Sequence, residues 1–216
     1  MLKKIKRFTF LILFFTSVNY FSQTEKKSFL KPSKVGFLLN FGTNENFIFD
    51  DVDYKYNTKT YKAQAFYELG NWKNLKLELI VQPQVQFIKH QLINEQYVLP
   101  DEENYLEKRA EFTQLKKINL YALEFGLAIK KRLNTKLDLQ GTISLGFSYI
   151  DKRTERVAKG FTFIENFSLG FSHQTFKNSF IYLGTNFGHV SNLNFQLPND
   201  GYNILGLEIG YSYFIK

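Results

Sequence analysis

Apolar and polar residues alternate with a period of two along most of this chain, and that pattern predicts strands. Val35, Phe37, Leu39 and Phe41 alternate with Gly36, Leu38, Asn40 and Gly42, and Tyr61, Ala63, Ala65, Tyr67 and Leu69 with Lys62, Gln64, Phe66 and Glu68. Leu75, Leu77, Leu79 and Val81 begin a third run that continues through Val85 and Phe87; Tyr121, Leu123, Phe125, Leu127 and Ile129 form a fourth. Leu139 to Tyr149, Phe161 to Phe171, Ile181 to Phe187 and Leu205 to Tyr213 complete eight segments, each with one apolar or aromatic face and one small or polar face. The connections alternate in length. Those near residues 70–74, 130–136 and 173–178 are short, and those near 43–58, 90–115, 151–160 and 193–201 are long or polar.

A soluble sandwich would bury the apolar faces against each other. A membrane barrel turns them out to lipid and fills its interior with small and polar side chains. Three features favour the barrel. Most segments reach the ~9–11 residues that cross a bilayer, an even number of strands closes the sheet without an edge, and alternating connection lengths match short periplasmic turns and long extracellular loops. The expected fold is an all-β, eight-stranded antiparallel up-and-down transmembrane barrel. Composition agrees: 24 Phe and 13 Tyr against one Trp suit strands better than helices.

The N-terminal stretch supplies the compartment. Lys3, Lys4, Lys6 and Arg7 precede the apolar run Phe8 to Val18, and Ser22 precedes Gln23. This is the layout of a secretory signal peptide over residues 1–22, with the barrel domain in 23–216 and the bacterial outer membrane as its destination. Without that segment the formal charge drops from +8 to +4. The remaining chain is only mildly basic, which gives no argument for a nucleic-acid partner. There are no cysteines, hence no disulfide and no thiolate chemistry.

An eight-stranded barrel is just wide enough for its own side chains, so chemistry is expected on the outer wall, at the rim or in the loops. Of the three histidines, His90 ends a strand beside a polar loop and His173 sits at a short turn, and both read as solvated. His189 shares the outward parity of Ile181, Leu183 and Phe187, and Ser191, two residues on, lies on the same face. A histidine and a serine so placed are the minimal pair for an activated nucleophile.

The segment Gly188-His189-Val190-Ser191-Asn192, followed by Pro198-Asn199-Asp200-Gly201 and a closing strand rich in glycine and aromatics, resembles the lipid A 3-O-deacylase family of outer-membrane barrels. The motif spans about residues 188–210. The resemblance implies hydrolysis of an acyl ester of lipid A, with Ser191 as nucleophile and His189 as base. It matches Asn192 and Asn199 to asparagines of the motif and its loop, near backbone N–H groups that would serve an oxyanion. The family glutamate that orients the histidine falls at Asn203, whose carbonyl still accepts from an imidazole N–H. Glu208 has inward parity, whereas Glu165 has outward parity and is expected near His189. Lys152, Arg153, Arg156 and Lys159 lie in a predicted extracellular loop within reach of lipid A phosphates. The chemistry calls for no metal or cofactor, the partners it implies are lipopolysaccharide and membrane lipid, and nothing in the sequence fixes an oligomeric state. The same alternation also fits a structural or lipopolysaccharide-binding barrel without catalysis, a reading that the missing glutamate favours.

Overall fold

The computed structural model describes residues 31–48 and 51–215; the expected signal peptide lies outside the described residues. Eight strands follow one another: β1 (Lys34–Thr43), β2 (Tyr54–Trp72), β3 (Leu75–Leu92), β4 (Lys116–Arg132), β5 (Leu137–Ile150), β6 (Gly160–Phe176), β7 (Ser179–Ser191) and β8 (Tyr202–Phe214). Each pairs antiparallel with its neighbours, and β1 pairs with β8 to close the barrel. The connections 73–74, 133–136 and 177–178 lie at one end and 44–53, 93–115, 151–159 and 192–201 at the other. The long 93–115 connection contains a turn of 3-10 helix (Glu95–Tyr97) and a short helix α1 (Tyr105–Phe112) that the alternation does not signal.

The outward faces are those the alternation predicts. Phe37, Phe125, Phe147, Phe167, Leu183 and Leu207 are each at least two-fifths exposed, an apolar surface of the kind that faces lipid in a membrane barrel. The inward faces are polar through the middle of the barrel. Glu124, fully buried on β4, accepts from Lys62 Nζ (3.2 Å), Gln82 Nε2 (3.4 Å), Ser144 Oγ (2.7 Å) and Asn166 Nδ2 (3.0 Å). Gly146 makes room for it, since a Cβ there would fall 2.7 Å from Glu124 Cγ. Nearer the short-turn end, Lys34 and Lys130 both reach Glu78 Oε2, at 3.3 and 2.7 Å. These two sets of buried charges are opposite-sign groups with further hydrogen bonds, which is what makes them tolerable away from water.

At the long-loop end the alternation reverses its sign. On β2, Tyr54 and Tyr56 point inward while Lys55, Asn57 and Lys59 face out; on β3 and β4, Ile88, Leu92, Ile118 and Leu120 are buried between Lys89 and Lys117 on the outer face. The barrel interior there is an apolar plug of Tyr56, Ile88, Leu120, Ile150, Ile164, Tyr202 and Ile204, joined from the loops by Val98, Phe112 and Val157. A uniformly small and polar interior, the sequence expectation, therefore fails at this level, and a smaller buried apolar cluster of Phe66, Ile80 and Ala128 interrupts it again toward the short turns. The reversal has a physical cause: a wall with polar residues outside is in contact with water, so its interior is an ordinary hydrophobic core. The last outward aromatics, Tyr61, Phe87, Tyr121, Tyr149 and Phe161, mark the edge of the apolar belt.

Candidate active site

His189 and Asn203 meet on the outer wall where β7 and β8 leave the apolar belt, while Ser191 and Asn192, at the end of β7, are buried. The register places His189 opposite Asn203 on one side and Glu165 on the other. His189 Nδ1 lies 2.7 Å from Asn203 Oδ1. An amide oxygen has no proton to give, so Nδ1–H is the donor and Nε2 is left unprotonated in the neutral ring. Ser191 stands two residues along the same face, opposite Phe163. Glu165 is exposed on the outer wall as its parity predicts, and Glu208 is buried inside.

One wall of the imidazole is backbone. Gly201, just before β8, has φ +70°, and a Cβ there would fall 2.9 Å from His189 Cε1, 3.3 Å from Nε2 and 2.7 Å from the Val190 carbonyl oxygen. Only glycine combines this left-handed conformation with so close an approach to the ring.

The two loop asparagines are joined to each other. Asn199 Oδ1 accepts from the Asn192 backbone N–H, while Asn192 Nδ2 donates to the carbonyls of Gln196 (2.7 Å) and Pro198 (3.4 Å). The donors that the sequence offers to an oxyanion are thus engaged in shaping the 192–201 loop. This follows from the tight return of the chain, which folds Asn199 back onto the end of β7.

The 151–159 loop, whose Lys152, Arg153 and Lys159 are exposed, is anchored to the barrel mouth by the residues between them. Thr154, Glu155, Val157 and Ala158 are buried, and Val157 bridges to Asn199. Arg156 lies over the Tyr54 ring and donates from Nε to the Gly201 carbonyl (2.6 Å) and from Nη1 to Tyr97 Oη (3.0 Å). Tyr97 Oη in turn donates to Asp200 Oδ2 (2.6 Å), and burial, with that bond, holds the phenol above its usual range. Arg153 pairs with Glu111, whose carboxyl is held below the usual range chiefly by that hydrogen bond, and Lys152 donates to the Lys117 carbonyl. Lys159 is exposed.

His90 also departs from its expected place. It is completely buried, with Nε2 3.0 Å from Glu155 Oε1 and its ring against Tyr56. Its inward parity is the reason: above the apolar belt the inward face is the core, and Glu155 descends into it from the loop. His173 is exposed, as expected.

A closed, even-stranded barrel with an aromatic outer belt and short turns at one end defines an integral outer-membrane protein. The family model described as lipid A 3-O-deacylase (PagL) matches residues 52–212, and the chain belongs to that family. The crystal structure of the outer membrane enzyme PagL superposes with a TM-score of 0.50 at 10% identity, covering 84% of this chain and 99% of that one. At that identity the likeness is one of fold. Neisserial surface protein A matches at 11% identity with a TM-score of 0.45, covering 84% of this chain and 96% of that one. No curated protein gives a significant sequence match.

Proposed function

We propose that the protein is a lipid A deacylase, a serine esterase that works from the outer wall of its barrel. His189 Nε2 takes the proton from Ser191 Oγ as that oxygen attacks an acyl ester carbonyl of lipid A. The ester C–O bond then breaks as the imidazolium returns that proton to the departing lipid A hydroxyl, leaving an acyl-enzyme, which water hydrolyses with the same imidazole as base to release the fatty acid. Asn203 holds the ring in the tautomer that makes Nε2 the acceptor. The observation that carries this reading is the His189–Asn203 hydrogen bond, 2.7 Å long, on a lipid-facing wall in a member of this family.

Depth supports it. His189 and Asn203 are the first polar outward residues above Phe187 and Leu205, at the edge of the apolar belt. The ester bonds of a membrane lipid lie at that boundary, with acyl chains on the apolar side. Leu193, Phe195 and Leu197 of the neighbouring loop are more than half exposed, and the Phe195 ring meets that of Phe163, opposite Ser191. They extend the apolar wall beside the serine.

The test is fatty-acid release from lipopolysaccharide in mixed micelles by the purified barrel, beside binding of the same lipopolysaccharide. Release supports the esterase. Binding without release supports a non-catalytic lipopolysaccharide-binding barrel, which Asn203 in place of a carboxylate favours. Asn203→Glu sharpens the comparison. Hydrogen bonds to charged partners contribute about 1–2 kcal/mol more than neutral ones, so the variant is expected to raise kcat about tenfold. An unchanged or lower kcat in the folded variant would contradict the role given to Asn203.

A further inference from the structure

We infer that Arg156, in the 151–159 loop, is a positioning residue for His189, acting through the backbone of Gly201; the inference rests on the esterase reading above.

Both polar groups of the Gly201 backbone go to one residue. Its carbonyl accepts from Arg156 Nε at 2.6 Å, and its N–H donates to the Arg156 carbonyl at 3.2 Å. Gly201 forms the backbone wall of the imidazole, and Asn203, two residues on, accepts its Nδ1–H. A shift of Gly201 therefore moves the ring's steric stop and its hydrogen-bond acceptor together.

Arg156 can act as a strut because its own loop is anchored in the barrel. Ala158 N–H donates to the Pro198 carbonyl (3.0 Å), and Thr154 Oγ1 accepts from Tyr56 Oη (2.8 Å) and from the Val157 N–H (3.0 Å). Glu155 meets His90 inside the apolar plug, where Tyr56 stacks on Tyr202 with ring centroids 4.2 Å apart. Tyr202 directly follows Gly201. The guanidinium is held between the Tyr54 and Tyr97 rings, at 4.6 and 5.3 Å, and Tyr97 Oη accepts from its Nη1. A planar, multi-donor group is needed to serve a carbonyl and a phenol at once while stacking, which a lysine cannot do. The rival role for Arg156 is a contact with a lipid phosphate, where a lysine would serve as a point charge.

The experiment compares wild type, Arg156→Ala, Arg156→Lys and Tyr97→Phe, purified as folded barrels from outer membranes. The first readout is kcat and KM for fatty-acid release from lipopolysaccharide micelles. The second is the tautomer of His189 by nitrogen-15 NMR of histidine-labelled protein, assigned by subtraction of a His189→Asn spectrum. A displaced catalytic group costs about 10²-fold, so Arg156→Ala is expected to lower kcat by about that factor with KM little changed. The single Nδ1–H tautomer of His189 gives way to a mixture, and Arg156→Lys restores neither readout. A raised KM with unchanged kcat, restored by lysine, would overturn the inference in favour of a phosphate contact. A retained tautomer in folded Arg156→Ala would overturn it as well. If wild type releases no fatty acid, the esterase reading fails while the tautomer still decides the strut. If Arg156→Ala does not fold, Tyr97→Phe, which removes one hydroxyl, is expected to lower kcat severalfold with the same tautomer mixing. No change in either readout there would count against the inference.

Discussion

Ser191→Ala is expected to lower fatty-acid release from lipid A by a factor on the order of 10⁴ while leaving the barrel folded and able to bind lipopolysaccharide. Loss of the nucleophile removes the acyl-enzyme route entirely, and what remains comes from binding and polarisation alone. The substitution removes one hydroxyl at the end of β7, opposite Phe163, and no strand pairing depends on it. Initial rates with purified barrel, at equal folded fraction, measure the effect. A loss of less than tenfold would take Ser191 out of the mechanism. The neighbouring residue makes a useful contrast, because Asn192 shapes the 192–201 loop through its bonds to Asn199, Gln196 and Pro198.

The second large effect belongs to the barrel and not to its site. Glu124→Ala is expected to destabilise the fold by about 3–5 kcal/mol, the usual consequence of removing one partner of a buried ion pair. Glu124 is the shared acceptor for Lys62, Gln82, Ser144 and Asn166, so its loss leaves an ammonium and several donors without a partner inside the wall. Denaturant unfolding in detergent, followed by heat-modifiable gel mobility, reports it. A midpoint unchanged from wild type would mean that water replaces the carboxylate at no cost and that the interior is hydrated there.

Much of this was legible in the sequence, and the exceptions have a common cause. The outward set through the belt, the three short turns and the pairing of His189 with Asn203 follow from parity, because one face must be apolar there; the register shift at Glu68/Gly70, which leaves Glu68 exposed, and the burial of Ser191 do not. Glu165 and Glu208 fall on the sides that parity assigns, and Glu165 stands directly across from His189. The strand ends were harder. Residues 54–59 continue β2 with inward tyrosines and outward lysines, which is the reverse of the pattern below, so an alternation read as apolar-out stops at Tyr61. The same reversal buries His90. The partners of the loops were not legible either: His90 meets Glu155 from 65 residues away, and Arg156 meets Gly201 from 45. Such contacts are set by how the loops fold over the barrel mouth, and charge alone made Arg156 look like a lipid-facing cation.

Membership of the lipid A 3-O-deacylase family rests on residues 52–212 and the barrel on all eight strands, whereas the proposed catalysis rests on a few atoms around His189. Asn203 gives that ring an acceptor without a negative charge, so the proposed rate depends on tautomer and position more than on electrostatic support of the imidazolium. This is why the geometry that holds Gly201 and Asn203 matters for the proposal.

The most direct test is mass spectrometry of lipid A from outer membranes carrying the folded wild-type barrel or Ser191→Ala. The account predicts a species lighter by one ester-linked acyl chain with wild type and its absence with the variant. Lipid A unchanged by folded wild type, or equally shortened by both, would contradict it.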